Sequence, residues 1–417
     1  MEQKINKNLQ YYKFSLYGFL KNLRFYEAFF ILFLLSKGVN FIQIGILYSI
    51  REITTALLEI PSGFLADSLG RKKTLVTSFL IYILSFALFY GSEHYGILIV
   101  AMLFFAVADS FRTGVHKAMI FHYLKKQNLS AQKTNYYGHT RSWSQMGSAL
   151  SSLIAGVLVF FTGNYKVIFA ASVVPYILDM LLVASYPSYL DGETKKLKTD
   201  TVKHKIKEVF TAFVLSLKSW TMFRSLTSVS IYTAYYKVIK DYIQPLIVTF
   251  ALSLSLLPGT STKQKTAIVL GIVYFFVYLA TSYTSRSAGK FRNRFKDYHR
   301  PLNSTLIAGL IAGILSGVFY IFKIPLVAVL LFVFILIIEN LRKPIGVSFI
   351  AEQSHEQAMA TVLSVQSQAQ SLFGSVIALI LGFLVQQIGI GSGIAVTTGL
   401  LFLLFPLFIL KERKKVI

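Results

Sequence analysis

Apolar residues in this chain do not alternate with polar ones; they run together. Twelve mainly apolar stretches follow one another, at roughly 14–36, 41–65, 74–92, 96–122, 136–162, 166–186, 224–252, 266–287, 301–322, 325–349, 359–386 and 391–410. About 20 apolar residues in a helix cross a bilayer. Lipid leaves only helices and closed barrels as spanning forms, and these runs are too long and continuous for barrel strands. The pattern therefore predicts an all-α polytopic membrane protein with twelve transmembrane helices. The first run contains Arg24 and Glu27 and lacks a small-residue cleavage exit, so it reads as a retained helix rather than a signal peptide.

Most connections are short. The exception, 187–218, is polar and Lys-rich and divides the runs six and six. The expected organisation is thus a six-helix bundle over 1–186, a linker over 187–218 and a second six-helix bundle over 219–417. Within the linker, "VKHKIKEVFTAF" has helical spacing that places its lysines toward anionic lipid headgroups.

Charge then fixes the orientation. Charged residues make up 14% of the chain, against about 25% in soluble domains. The net charge of +24 would suit a nucleic-acid partner if it lay on one surface, but it is distributed by topology. With both termini inside, the cytoplasmic segments hold 26 Lys and Arg and the external loops 5. The expectation is a multi-pass protein of the cell (inner) membrane, with cytoplasmic termini and no nucleic-acid partner. With no cysteine, disulfides and thiol chemistry are excluded.

The connection between the second and third runs reads "GFLADSLGRKK". It resembles the signature of the major facilitator superfamily, roughly G-x-L-A-D-x-x-G-R-K, through Gly63, Leu65, Ala66, Asp67, Gly70, Arg71 and Lys72. Ser68 stands where the family commonly has a basic residue. The segment "SRSAGKFRNRFKD" between the eighth and ninth runs is a looser basic echo at the same place in the second half. The resemblance implies two bundles that rock about a site at the membrane midplane. It also implies a gating set of Gly63, Asp67, Gly70 and Arg71, in which Asp67 meets the positive N-terminal end of the eleventh helix, near Ala358, when the inner gate closes. A weaker resemblance, "FRTGVHKAM" in the fourth run, compares with an S-G-T-x-x-A segment of some branches. "TRSWSQMGSALSSLIAG" and "ATVLSVQSQAQSLFGS" are rich in Gly, Ala and Ser, as close helix packing in lipid requires.

Ionisable residues inside the runs are costly and are candidate site residues by default. The resemblance implies that helices 1, 4, 7 and 10 line the cavity. Helix 1 carries Arg24 and Glu27, three apart and neighbours on a helical face. Helix 4 carries Asp109, Arg112 and His116 within about 60° of one another. Helix 7 presents Tyr232, Tyr235 and Tyr236 on one face, with Lys237 and Asp241 as an i, i+4 pair on the other. Both faces meet one cavity only if local unwinding or Pro245 distorts the helix. Helix 10 carries Glu339, with Arg342 a turn later. Arg51 and Glu52 in helix 2 read as a pair that holds the N-terminal bundle together.

Arginines in a cavity suit a carboxylate or phosphate, because the guanidinium fork binds such groups bidentately. The expected substrate is therefore a small organic anion or zwitterion, bound by Arg24, Glu27, Asp109, Arg112, Tyr232, Tyr235, Tyr236 and Glu339. Glu27, Asp109 and Glu339 are the candidate proton carriers, and protons or another coupling ion are expected partners alongside membrane lipid. A multidrug/proton antiporter exporting lipophilic cations is the alternative, because the same carboxylates in an aromatic cavity would serve it; sugar or nutrient uptake is a third. No P-loop is present, so an ion gradient is the expected drive. HExxH and GxSxG motifs are absent and the seven histidines are scattered, so neither an enzyme, a metal site nor a cofactor is expected.

Overall fold

The computed structural model describes residues 7–129, 133–191, 199–218, 220–254, 259–353 and 359–410. Residues 192–198 of the central linker, the region of Ala358 and the basic residues after 410 lie outside them. All long elements among the described residues are α-helices. In the first half these are α1 (Leu9–Leu20), α2 (Phe30–Ser36), α3 (Phe41–Leu69), α4 (Arg71–Gly91), α5 (Tyr95–Arg112), α6 (Val115–Lys126), α7 (Lys133–Thr162) and α8 (Val167–Ala184). The amphipathic α9 (Thr199–Lys218) follows, as the linker spacing predicts. The second half contains α10 (Trp220–Ile239), α11 (Ile243–Ser253), α12 (Thr262–Arg292), α13 (His299–Ile321), α14 (Pro325–Gln353), α15 (Met359–Ile388), α16 (Ile390–Leu403) and the short α17 (Phe405–Phe408).

Nine helices among the described residues are long and apolar enough to cross a membrane. The three remaining runs are each divided into pieces too short or too polar to count. The first breaks between α1 and α2, the seventh passes through a 3-10 turn at Lys240–Tyr242, and the twelfth breaks before Pro406. Twelve apolar runs and nine such spans among the described residues are therefore compatible.

The helices group into two compact units, Met1–Phe33 with Thr54–Lys203 and Lys263–Tyr278, and Leu34–Ile53 with His204–Thr262 and Leu279–Ile417. Within the first, α4 packs on α5 and α8, and α1 packs on α7. Within the second, α13 packs on α14 and α16, and α10 packs on α15. Numbered by run, the pairs 3–4, 3–6 and 1–5 become 9–10, 9–12 and 7–11, each shifted by six. The basic echo in the sequence is thus matched by a repeated packing scheme.

Each unit also contains close glycine crossings. A Cβ on Gly156 of α7 would lie 2.8 Å from the Ala267 carbonyl oxygen of α12, with Gly271 opposite. A Cβ on Gly45 of α3 would lie 2.5 Å from the Ala378 carbonyl oxygen of α15, with Gly382 opposite. These backbones touch because no side chain intervenes, which is how helices associate where apolar burial gives no drive.

The "GFLADSLGRKK" segment is not a loop. Helix α3 runs through Gly63 and Asp67 to Leu69, and Gly70 alone turns the chain into α4. Its φ of 96° lies where glycine pays no Cβ penalty. Gly63, by contrast, has open space around the position of a Cβ, so it mediates no close approach here.

Candidate functional site

The first run carries "FLKNLRFYEAFF", and the polar residues in it coincide with the break. From Lys21 to Phe29 the ladder of i→i−4 bonds gives way to shorter ones: Asn22 donates to the Phe19 carbonyl, Leu23 to Leu20, Glu27 to Arg24 and Phe29 to Tyr26. The Asn22 amide donates to the Gly18 carbonyl at 2.7 Å and secures the end of α1. Irregular backbone at membrane depth is tolerated only where protein or water covers it, and in transporters such breaks mark the binding region. Arg24 and Glu27 stand 3.8 Å apart here, on a turn rather than on the face of a continuous helix. Lys21 opens the break, with its ammonium over the Tyr17 ring at 5.4 Å.

The fourth run breaks too. α5 ends at Arg112, Gly114 takes a φ of 79°, and α6 begins at Val115. Arg112 donates to the Asp109 carboxylate and, at 3.2 Å, to the Tyr82 hydroxyl. Tyr82 in turn donates to Asp109 at 2.7 Å. His116 lies beyond the break, so it does not share the Asp109–Arg112 face. It stacks on Tyr17 with ring centres 3.6 Å apart and hydrogen-bonds the Tyr186 hydroxyl at 3.2 Å. Tyr26 and Tyr176 share a hydrogen bond at 3.4 Å, and Tyr176 packs edge-on against Tyr82. The first unit thus gathers Lys21, Arg24, Glu27, Asp109 and Arg112 against Tyr17, Tyr26, Tyr82 and Tyr176.

Helix 7 behaves differently from expectation. Tyr232 and Tyr235 are buried, with hydroxyls committed to the Ile335 carbonyl at 3.1 Å and to Thr398 at 2.8 Å. They fill notches at Gly309 and Gly313, where a Cβ would collide with their rings or hydroxyls. In this conformation both are packing residues of the second unit rather than an open solute face. Tyr236 beside them is half-buried. Lys237 and Asp241 do not neutralise each other. Lys237 binds Glu52 of α3 at 3.2 Å, and Asp241 accepts from Tyr48 at 2.6 Å. Arg51 and Ser371 also reach Glu52, at 3.4 and 3.3 Å. The Arg51–Glu52 pair is therefore part of a network that ties α3 to α10 and α15, not a clasp inside the N-terminal half. The distortion of helix 7 that its two faces require is present as the 3-10 turn at Lys240–Tyr242, three residues before Pro245.

Glu339 in α14 is buried, and neither carboxylate oxygen has a hydrogen-bond partner; Thr233 faces it without closing one. Arg342 does not pair with it. Its guanidinium donates to the Leu302 and Ser228 carbonyls and to Thr305, and lies over the Tyr232 ring. A cavity of about 380 Å³ opens elsewhere in the second unit, beside Arg292, Asn293 and Ser348. It lies at the ends of α12 and α14 rather than at mid-run, and Arg292 is stacked on Tyr298 at 4.1 Å. We therefore place the candidate site at the two helix breaks.

Of the gating set, Gly70 is held against Asp191, whose carboxylate accepts from the Lys72 amide at 2.6 Å. Asp191 thereby caps α4 from the turn that follows α8. Arg71 lies 3.6 Å from Asp67, whose side chain is 57% exposed. Sequence reasoning missed Lys21, Asp179 and Asp191. Asp179 had a signal, as the one charged residue in "VIFAASVVPYILDMLLVA". Asp191 had none, because capping across 119 positions is invisible to local pattern.

Broken apolar helices around half-buried ion pairs, in two units built on one packing scheme, define a polytopic secondary transporter. The profile of the Major Facilitator Superfamily matches residues 22–378. The chain belongs to that superfamily, and its similar proteins are transporters rather than enzymes. An uncharacterized MFS-type transporter of Bacillus subtilis (strain 168), YxaM, is 39% identical over 84 residues, a match spanning 20% of this chain and 21% of the relative. Among solved structures, the nucleoside transporter NupG superposes with a TM-score of 0.75 at 12% identity, covering 97% of this chain and 100% of that one. A D-xylose-proton symporter gives 0.67 at 12%, covering 96% of each chain. A peptide transporter POT in complex with sulfate gives 0.68 at 14%, covering 96% and 94%. At these identities the likeness is one of fold.

Proposed function

We propose that this secondary transporter moves a small organic anion or zwitterion by alternating access of its two six-helix halves, 1–186 and 219–417, coupled to protons across the cell (inner) membrane with both termini cytoplasmic. One observation carries the substrate class. Arg24 is matched by Glu27 and Arg112 by Asp109, but Lys21 has no carboxylate partner among the described residues. An ammonium among two guanidinium groups at a helix break is a cation left for a ligand to neutralise. Tyr17, Tyr26, Tyr82 and Tyr176 supply flat apolar area with hydroxyls, and Tyr236 and Glu339 are the residues we retain from the second half. Glu339, Glu27 and Asp109 are the proton carriers of this reading. Glu339 is the foremost, since among the described residues no ion pair includes it.

The multidrug/proton alternative needs a surplus of carboxylates, and the first unit offers no such surplus. A thermal-shift screen of purified protein against carboxylates, phosphates, zwitterions and lipophilic cations separates the two. The expected result is stabilisation by members of the anionic or zwitterionic set, lost in Lys21→Gln and in Arg24→Gln. Stabilisation by lipophilic cations alone would overturn the reading.

A further inference from the structure

Asp179 is the one charged residue of helix α8, and it is 0% exposed. Neither of its carboxylate oxygens has a hydrogen-bond partner, and no ion pair includes it among the described residues. That arrangement is costly for a purely structural residue. A buried carboxylate that is ionised and unbonded loses its hydration with nothing in return, a penalty of several kcal/mol. An aliphatic residue of the same size would pack there at no such cost.

The surroundings say what visits it. Lys21, from the break after α1, and Arg112, at the end of α5, are the cations that face Asp179. Tyr17 of α1 and Tyr186, two helical turns beyond Asp179, are the phenols that face it. α4 brings Tyr82 against Tyr176 one turn earlier, and from α7 Tyr136 faces Tyr186 rather than Asp179. Among the described residues no second carboxylate joins Asp179, and two cations oppose a further positive charge, so the pocket does not suit a metal cation. A proton is the ligand it suits, because it needs no coordination shell and leaves the group neutral. A polar chain also begins two turns beyond Asp179, at Tyr186. Tyr186 bonds His116 at 3.2 Å and donates to the Lys13 carbonyl at 3.3 Å, where Lys13 itself is half-buried and its ammonium donates to Ser185.

We propose that Asp179 is a protonation site of the first unit. It binds one proton in this conformation, and it releases that proton through the Tyr186–His116 pair as its carboxylate becomes the counter-ion of Lys21 or Arg112. The charge is conserved in the exchange. Ionised Asp179 would balance Lys21, and protonated Asp179 leaves Lys21 free for an anionic solute. The proposal deepens the proton-coupled reading by adding a carboxylate from a helix outside the expected cavity set.

Infrared difference spectroscopy between pH steps, on the purified full chain, tests it without any solute. The proton is the probe, and the readout is the carbonyl stretch of a protonated carboxylic acid. The expected result is a pH-dependent band that shifts on labelling aspartate with carbon-13 at the side-chain carboxyl, which separates it from Glu27, Glu52 and Glu339. The band is lost in Asp179→Asn and kept in Asp241→Asn. In Asp179→Glu it leaves the aspartate label and appears on labelled glutamate, so a poorly folding Asn variant does not block the test. Absence of an aspartate-derived band at every pH where the wild type stays folded overturns the proposal. A band unchanged in folded Asp179→Asn or Asp179→Glu does so too. If solute flux in vesicles ignores a proton gradient while the band titrates as described, the coupling reading fails and the protonation site stands.

Discussion

Arg112 is where the chemistry of single residues is most exposed to test. Its guanidinium is shared between the Asp109 carboxylate and the Tyr82 hydroxyl, and its side chain is 13% exposed. Removing it strands a largely enclosed carboxylate, which costs more than the pair itself contributes. Arg112→Ala is expected to lower stability by about 1–3 kcal/mol, read as a fall in the thermal midpoint of the purified protein. Asp109→Asn added to it should restore most of that loss, because the amide needs no counter-ion. A double variant as unstable as the single one would show that Arg112 acts through packing on Tyr82 instead. Arg24, Glu27, Asp109 and Arg112 were legible in the sequence because charge inside an apolar run is rare and costly. Their partners were legible only where they lay three positions away. Lys237 meets Glu52 from 185 positions off and Tyr232 fills a notch at Gly309, and neither relation has a sequence period.

At the scale of elements, the two helices that begin at the basic connections are capped by aspartates from different sources. Asp191 caps α4 from the start of the linker, and Asp297 caps α13 locally by accepting from the Arg300 amide at 2.9 Å. That backbone bond is the main reason the Asp297 carboxyl is held below the usual aspartate range, with His299 and Arg300 adding to it. The sign follows from linkage. A depressed folded-state value means the cap stabilises above the unfolded value near 4, and the contribution is lost as pH falls through the folded value. Asp297→Asn should therefore narrow the stability difference between pH 7 and pH 3 relative to wild type, as followed by thermal unfolding. Asp191→Ala is expected to cost about 1 kcal/mol at neutral pH, the usual value of an N-terminal cap, with fraying of α4 visible as faster amide exchange at Lys72. The breaks themselves were half legible. "LKNLRFYE" announces polarity at depth, but a polar cluster on an intact helix has the same composition, so only tertiary structure decides between them.

At the scale of the whole molecule, twelve runs, a central linker and one signature segment were enough to indicate the superfamily, since bilayer thickness and positive-inside charge act on composition rather than on contacts. The repeated packing of runs 3–4, 3–6 and 1–5 as 9–10, 9–12 and 7–11 lay beyond that reach, because it is a property of pairs of helices. Asp67 joins the two levels. It lies on the last turn of α3, more than half exposed and 3.6 Å from Arg71, so local packing does not account for a carboxylate there. In the proposed cycle it meets the positive N-terminal end of α15 when the inner gate closes and leaves it when the gate opens. A carboxylate at a helix N-terminus contributes up to about 2 kcal/mol, and one to two kcal/mol shifts a two-state equilibrium by roughly 5- to 30-fold. Asp67→Asn is therefore expected to keep expression and thermal stability while moving the population toward inward-open by about that factor. Spin labels across the inner ends of the two halves, read as a distance distribution, measure the shift directly, and solute flux should slow with it. Asp67→Glu, which keeps the charge on a longer arm, should recover part of the wild-type distribution. An Asp67→Asn distribution that overlays the wild type would confine Asp67 to its pairing with Arg71 and remove it from the gate.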